Sequence, residues 1–300
     1  TLMFALIAGV AAVCAVALYF AFRKDEQRGD EPSRPSEHSS APVKTAIVPA
    51  PSTLPSASAS VPPPPAAPFM VALGRRHACA LKQGSVWCWG GNENGELGFE
   101  KTTATQPTAR QVQGLDSVVQ VATAYSYTCA LKKSGSVWCW GENGNSSLGD
   151  GTWRDQTSPV EAQGIAGAVQ ISATGSHACA ISSGGSAWCW GYWDDGQLGD
   201  GLPSHQLLPS KPSAVKDFTD ALEIRAGYRH TCSRRGDGNV WCWGRGAMLG
   251  DGGKKDRPSA GQVPNLRATE ISAGQEHTCA REPEGAVQCW GLSESGQLGT

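Results

Sequence analysis

The segment Cys129-Ala-Leu-Lys-Lys-Ser-Gly-Ser-Val-Trp-Cys139-Trp140-Gly141 recurs in five close copies, and everything after residue 69 is spaced by them. The copies run over Cys79–Gly90, Cys129–Gly141, Cys179–Gly191, Cys232–Gly244 and Cys279–Gly291, with first cysteines 50, 50, 53 and 47 residues apart. A steady period of this length marks a repeat architecture, in which each unit is too small to bury its own apolar residues.

Each copy reads as a β-hairpin, two short apolar runs around a turn that ends in glycine at Gly84, Gly135, Gly185, Gly238 or Gly285. If Cys129 faces Cys139, then Ala130 faces Trp138, Leu131 faces Val137, and Lys133-Ser134-Gly135 is left as a three-residue loop whose last position calls for a left-handed glycine. The first copy is one residue shorter and closes on Gln83-Gly84. In this register one face carries the cysteines and an aliphatic pair such as Leu81 and Val86. The other carries tryptophans opposite small residues: Trp89 faces Ala78, Trp140 faces Thr128, Trp190 faces Ala178, Trp243 faces Thr231 and Trp290 faces Thr278. Large against small on both faces suits a sheet sandwiched between two others.

The same register sets five disulfides, each within one hairpin: Cys79–Cys88, Cys129–Cys139, Cys179–Cys189, Cys232–Cys242 and Cys279–Cys289. Directly opposed residues in a non-hydrogen-bonded antiparallel pair have Cα atoms about 4.5 Å apart, within the range of about 4.4–6.8 Å that a disulfide accepts.

Ahead of the repeats, Leu2 to Phe22 are 21 residues without a charge, enough to span a bilayer. Residues 1–23 are therefore expected to form a transmembrane signal anchor, with the membrane engaged through residues 2–22. Arg23 and Lys24 favour a cytoplasmic side for the chain beyond them, whereas ten paired cysteines favour an oxidising, extracytoplasmic one. The second argument sets the expected location, periplasmic or outer-surface. Residues 24–68 are rich in proline, serine and alanine and read as a disordered spacer. The start at Thr1 and the stop at Thr300 within a repeat suggest a piece of a longer chain.

Few residues stand out as chemistry. His77, His177, His230 and His277 occupy one repeated place and read as structural hydrogen-bonding groups, because copies in different units do not converge on one ion. Asn143-Gly-Asn and Asp150-Gly-Thr read as turns. No nucleophile with a neighbouring base stands apart from the repeat, so no catalytic, metal or cofactor-binding residue is expected. A net charge of -2 gives no invitation to nucleic acid. What varies is the loop after each Cys-Trp-Gly, and Trp153, Arg154, Tyr192 and Trp193 are the candidate binding surface, being aromatic or arginine residues that no other copy repeats.

The flanks of the hairpin carry a wider likeness. Ile171-Ser-Ala-Thr-Gly-Ser-His-Ala-Cys-Ala-Ile and Ile271-Ser-Ala-Gly-Gln-Glu-His-Thr-Cys-Ala precede the turn. Gly91-Asn-Glu-Asn-Gly-Glu-Leu-Gly, Asp194-Asp-Gly-Gln-Leu-Gly-Asp-Gly and Ser293-Glu-Ser-Gly-Gln-Leu-Gly come after it, and a proline strand such as Ser158-Pro-Val comes later. Together these resemble the regulator of chromosome condensation repeat, and the Cys-Trp-Gly ending resembles a bacterial, exported branch of that family. The resemblance covers residues 69–300 and implies an all-β propeller of four-stranded antiparallel blades, about five present of a probable seven. Departures occur at Tyr127, which replaces the histidine, at Gln288, which replaces a tryptophan, and at Arg234 and Arg281, which replace leucine. Copies four and five are therefore expected to be less buried on that face.

The functional expectation is a membrane-tethered extracytoplasmic binding propeller for a protein or glycan ligand, with neither nucleic acid nor a small-molecule cofactor. Two alternatives stand beside it: the sensor of a longer signalling protein, and a guanine-nucleotide exchange factor by family analogy.

Overall fold

Five antiparallel sheets succeed one another along the chain in the computed structural model, which describes residues 70–202 and 211–299. The first blade is β1 (Met70–Leu73), β2 (His77–Lys82), β3 (Ser85–Asn92) and β4 (Thr102–Gln111). The second is β5 (Val118–Thr123), β6 (Tyr127–Lys132), β7 (Val137–Gly141) and β8 (Gln156–Glu161). The third is β9 (Ala168–Thr174), β10 (His177–Ser182), β11 (Ala187–Gly191) and β12 (Ser213–Ala214), and the fourth β13 (Ala221–Ala226), β14 (His230–Arg235), β15 (Asn239–Gly244) and β16 (Arg257–Arg267). The fifth has β17 (Glu270–Ala273), β18 (His277–Arg281) and β19 (Val287–Gly291). Among the described residues it is three-stranded, where four strands were expected. Strands pair in chain order within every blade. The first strands of successive blades touch one another, which puts them around the axis and the fourth strands at the rim. The apolar run 2–22 and the spacer lie outside the described residues.

Every repeated hairpin has the register that counting predicts, with Cys79 opposite Cys88, Cys129 opposite Cys139, Cys179 opposite Cys189, Cys232 opposite Cys242 and Cys279 opposite Cys289. All five pairs are disulfide-bonded, with Cα atoms 4.1 Å apart. The three-residue loops end in left-handed glycines, Gly135 at φ 85° and Gly285 at φ 93° among them. The two-residue turn of the first copy puts both Gln83 (φ 51°) and Gly84 (φ 78°) in that region, as a type I′ turn demands.

Successive blades meet cysteine face to tryptophan face. Between blades 2 and 3, for example, Cys129, Leu131, Val137 and Cys139 pack with Ile171, Ala178, Ala180 and Trp190. The inner tryptophan of each later blade also donates its indole N–H backwards: Trp140 to the Glu96 carbonyl, Trp190 to Ser147 and Trp243 to Gln197, each at 2.9 Å, and Trp290 to Met248 at 3.2 Å. The Leu-Gly immediately after each of these carbonyls completes a socket. A Cβ on Gly199 would lie 2.7 Å from the Trp243 indole nitrogen. Trp89 has no blade before it among the described residues and is only half-buried, whereas Trp140, Trp190 and Trp243 are fully buried.

The repeated histidines cross the same seams. Nε2 of His77 lies 2.9 Å from the Thr128 hydroxyl, His177 2.9 Å from Thr231 and His230 2.7 Å from Thr278. Thr128 and Thr231 already donate their protons to the carbonyls of Glu96 and Gln197. His77 and His177 must therefore donate from Nε2, and in all three histidines Nδ1 is buried and unpaired. Where tyrosine stands for histidine the partner changes too, and Tyr127 shares a core with Ala178. Arg234, in a leucine place, is held by buried Glu223 at 3.2 Å, while Arg281 is exposed.

Candidate functional site

Two sets of loops share one face of the stack, because a backbone hydrogen bond ties them together in every blade. The loop after each Cys-Trp-Gly donates an N–H to the turn between the first two strands: Gly91 to Arg76, Glu142 to Ser126, Tyr192 to Ser176, Arg245 to Arg229 and Leu292 to Glu276. Variable residues from both sets thus stand on a fixed frame.

In blades 1 and 2 the longer loop is built around a buried asparagine. Asn92 accepts from the Leu97 N–H and donates to the carbonyls of Phe99 and Glu100. Asn143 accepts from Leu148 and donates into a cluster formed by the Asp150 carboxylate, Thr152 and the Arg154 carbonyl. Asn143 and Asp150 are therefore turn-forming, and the backbone under Trp153 and Arg154 is pinned while both side chains face solvent, Trp153 at 40% exposure.

In blade 3 the equivalent place is taken by Trp193, which is half-buried against the core shared with blade 4. Its neighbour Tyr192 packs beside it, with ring centroids 5.8 Å apart, and donates its hydroxyl to Asp194. Trp193 thus fills the space of a structural asparagine, and Tyr192 beside it is likewise half-buried. These two residues and the Trp153–Arg154 pair belong to loops of neighbouring blades rather than to one cluster.

A second cluster was not singled out in the sequence. The turns between first and second strands bring Tyr125 of blade 2 against Tyr228 of blade 4, stacked at 5.4 Å and 27°. The contact passes over blade 3 at Gly175 (φ 59°), where a Cβ would lie 2.6 Å from the Tyr228 ring. Arg75 lies over Tyr125 at 5.5 Å and Arg229 over Tyr228 at 5.4 Å. Arg229 also meets Asp195 at 3.6 Å. Desolvation, above all, raises the pKa of Tyr125 and of Asp195. The only local signal was a place that changes from copy to copy, Arg75, Tyr125, Gly175, Tyr228 and Gln275, two residues before the column that holds histidine in four of the five copies.

This face offers aromatic rings, phenol hydroxyls and guanidinium donors, the means of holding a ligand. Among the described residues no three histidine, cysteine or acidic side chains are grouped so as to hold a metal ion.

Comparison with known proteins bears on the whole stack. The family model of the RCC1-like domain matches residues 24–300. No curated protein sequence matches the chain. Among solved structures, human WBSCR16 superposes with a TM-score of 0.67 at 21% identity, over 77% of this chain and 63% of that one. Prp20p from Saccharomyces cerevisiae, described with its binding to Gsp1p and histones, gives 0.62 at 21% identity over 78% and 58%. The yeast protein bound to Kap60 gives 0.61 at 20% identity over 78% and 56%. This chain spans about three fifths of the length of these solved relatives. Their identities are too low to carry more than the fold, which is a β-propeller. With a family model covering nearly all of its length and five blades that repeat one register, this chain belongs to the RCC1-like domain family.

Proposed function

We propose that this protein is a membrane-tethered, extracytoplasmic binding propeller that presents its loop face to a protein or glycan ligand. The observation that carries the reading is a disulfide in every repeat. Five hairpin disulfides persist in an oxidising compartment and are reduced in the cytosol, which also argues against exchange on a cytosolic GTPase. The tether rests on the uncharged run 2–22, outside the described residues; among those described, no helix is long and apolar enough to cross a membrane. A protein ligand is the form suggested by Prp20p, whose partners include Gsp1p, histones and Kap60. Trp153, Arg154 and Tyr192 would make the outer contacts, with Trp193 stiffening the third loop from below.

Reporter fusions after residue 299 test the reading. Alkaline phosphatase, which needs disulfides, is expected to be active and membrane-bound, and removal of residues 2–22 is expected to abolish that activity. A fluorescent cytosolic fusion with inactive phosphatase would reverse the topology. Replacing Trp153 or Tyr192 with a photo-crosslinking amino acid should then give a discrete adduct in the native host, lost when Arg154 and the other aromatic are changed to alanine.

A further inference from the structure

We propose that the inner turns of the loop face form a docking site for an acidic segment of a partner protein, gripped by Arg75 and Arg229 on either side of the Tyr125–Tyr228 stack. This inference rests on the reading of the loop face as the binding face, and it names the ligand chemistry.

Position comes first. Tyr125 and Tyr228 belong to turns that come directly after the innermost strands, and they meet although a whole blade lies between them. Only near the axis do turns of alternate blades come this close, so the stack sits where an approaching chain end or loop would meet three blades at once. Gly175 is the condition of that meeting, since any side chain there would push Tyr228 away.

Charge comes next. No carboxylate pairs with Arg75 among the described residues, although its guanidinium is held over Tyr125 and the residue is exposed. Arg229 is ion-paired with Asp195 at 3.6 Å and is also hydrogen-bonded to the Tyr228 side chain, so Arg75 is the guanidinium of the two that has no carboxylate partner. Arg75 therefore keeps its whole fork for a carboxylate, and Arg229, already paired with Asp195 and Tyr228, can add a further donor beside it. A stack that served only to hold blades together would need neither. The ring faces are already engaged by each other and by the arginines, which leaves no open face for a sugar ring. What remains free are ring edges, the Tyr125 hydroxyl and the Arg75 fork, and these fit a flexible aspartate or glutamate side chain better than a pyranose.

The test uses the full chain and a fluorescein-labelled hexaglutamate peptide, monitored by anisotropy at low ionic strength, with hexaglutamine and an oligogalacturonate as controls. Hexaglutamate is expected to bind, to weaken as salt is raised, and to lose about tenfold in affinity in Arg75→Ala and again in Arg229→Ala. Gly175→Val should weaken it comparably although it removes none of the four contact groups. Arg75 is exposed, so R75A keeps the fold, and it decides the matter even if G175V does not fold. Absence of hexaglutamate binding, binding indifferent to R75A, or equal capture of oligogalacturonate with the same dependence on Arg75 would each overturn the proposal. A reversed topology in the reporter fusions would overturn the functional reading alone and leave this measurement standing.

Discussion

A histidine that must donate from Nε2 and is buried at Nδ1 has no room for a second proton. Burial holds His77 and His230 at about 4 and His177 at about 3, against an ordinary 6.5; the neighbouring histidine in the next blade adds to the depression of His177 and His230. The unfolded chain takes up these protons as the pH falls below about 6.5, whereas the folded chain refuses them until about 4. Stability is therefore expected to fall as acid is added through that window, read as a melting temperature that drops between about pH 7 and about pH 4. A flat profile there would show that the imidazoles find partners for Nδ1. Thr231→Val keeps the shape of the seam but orphans the His177 N–H and leaves the Gln197 carbonyl with the Trp243 indole alone. The expected loss in chemical denaturation is about 1–3 kcal/mol. The alternate seam makes a sharper case, because Tyr127 comes with Ala178 where histidine comes with threonine. Tyr127→His alone should destabilise, and adding Ala178→Thr should restore part of the loss, a coupling that a double-mutant cycle measures. These pairings were written in the sequence as two columns that change together between successive copies. Recognising them required knowing that column n of one copy touches the next copy, which only the stack reveals.

At the scale of the element, the hairpins were legible to the residue because strand pairing has a period of two and the turn length fixes the register. Of the rim strands only β8 was, through Ser158-Pro-Val. β12 has two residues and β16 eleven, of which only Val263 and Leu266 are fully buried, so no apolar alternation marks them. Nor was the Tyr125–Tyr228 stack, since it joins residues from two different blades and depends on the curvature of the ring. Of the two copies expected to be less buried on the cysteine face only the fifth is, with Cys279 and Cys289 half-buried; in the fourth, Cys232, Val240 and Cys242 are fully covered, because the next blade packs on them and Glu223 holds Arg234. One hairpin also holds a local misfit. Gln83 adopts a left-handed conformation that costs a residue with a Cβ about 1 kcal/mol or more, and asparagine tolerates it better. Gln83→Asn is accordingly expected to stabilise by about 0.5–1 kcal/mol, seen as a higher denaturation midpoint with an unchanged slope.

Across the whole molecule the five disulfides make a countable statement. The chain has 11 cysteines, of which ten are paired, so alkylation of the denatured, unreduced protein from its native compartment should label one thiol, Cys14. More than one labelled thiol would undo the compartment on which the proposed function stands. The backward-pointing indoles bear on something else, the order of assembly. Each tryptophan inserts into a carbonyl and glycine socket made by the blade before it, so on a ribosome the receptacle always emerges ahead of the plug. Trp140 finds Glu96 and Gly98 already synthesised, Trp190 finds Ser147 and Gly149, and Trp243 finds Gln197 and Gly199. A chain built this way can be laid down blade by blade as it is synthesised, with none of Trp140, Trp190 and Trp243 required to wait for a later segment of polypeptide.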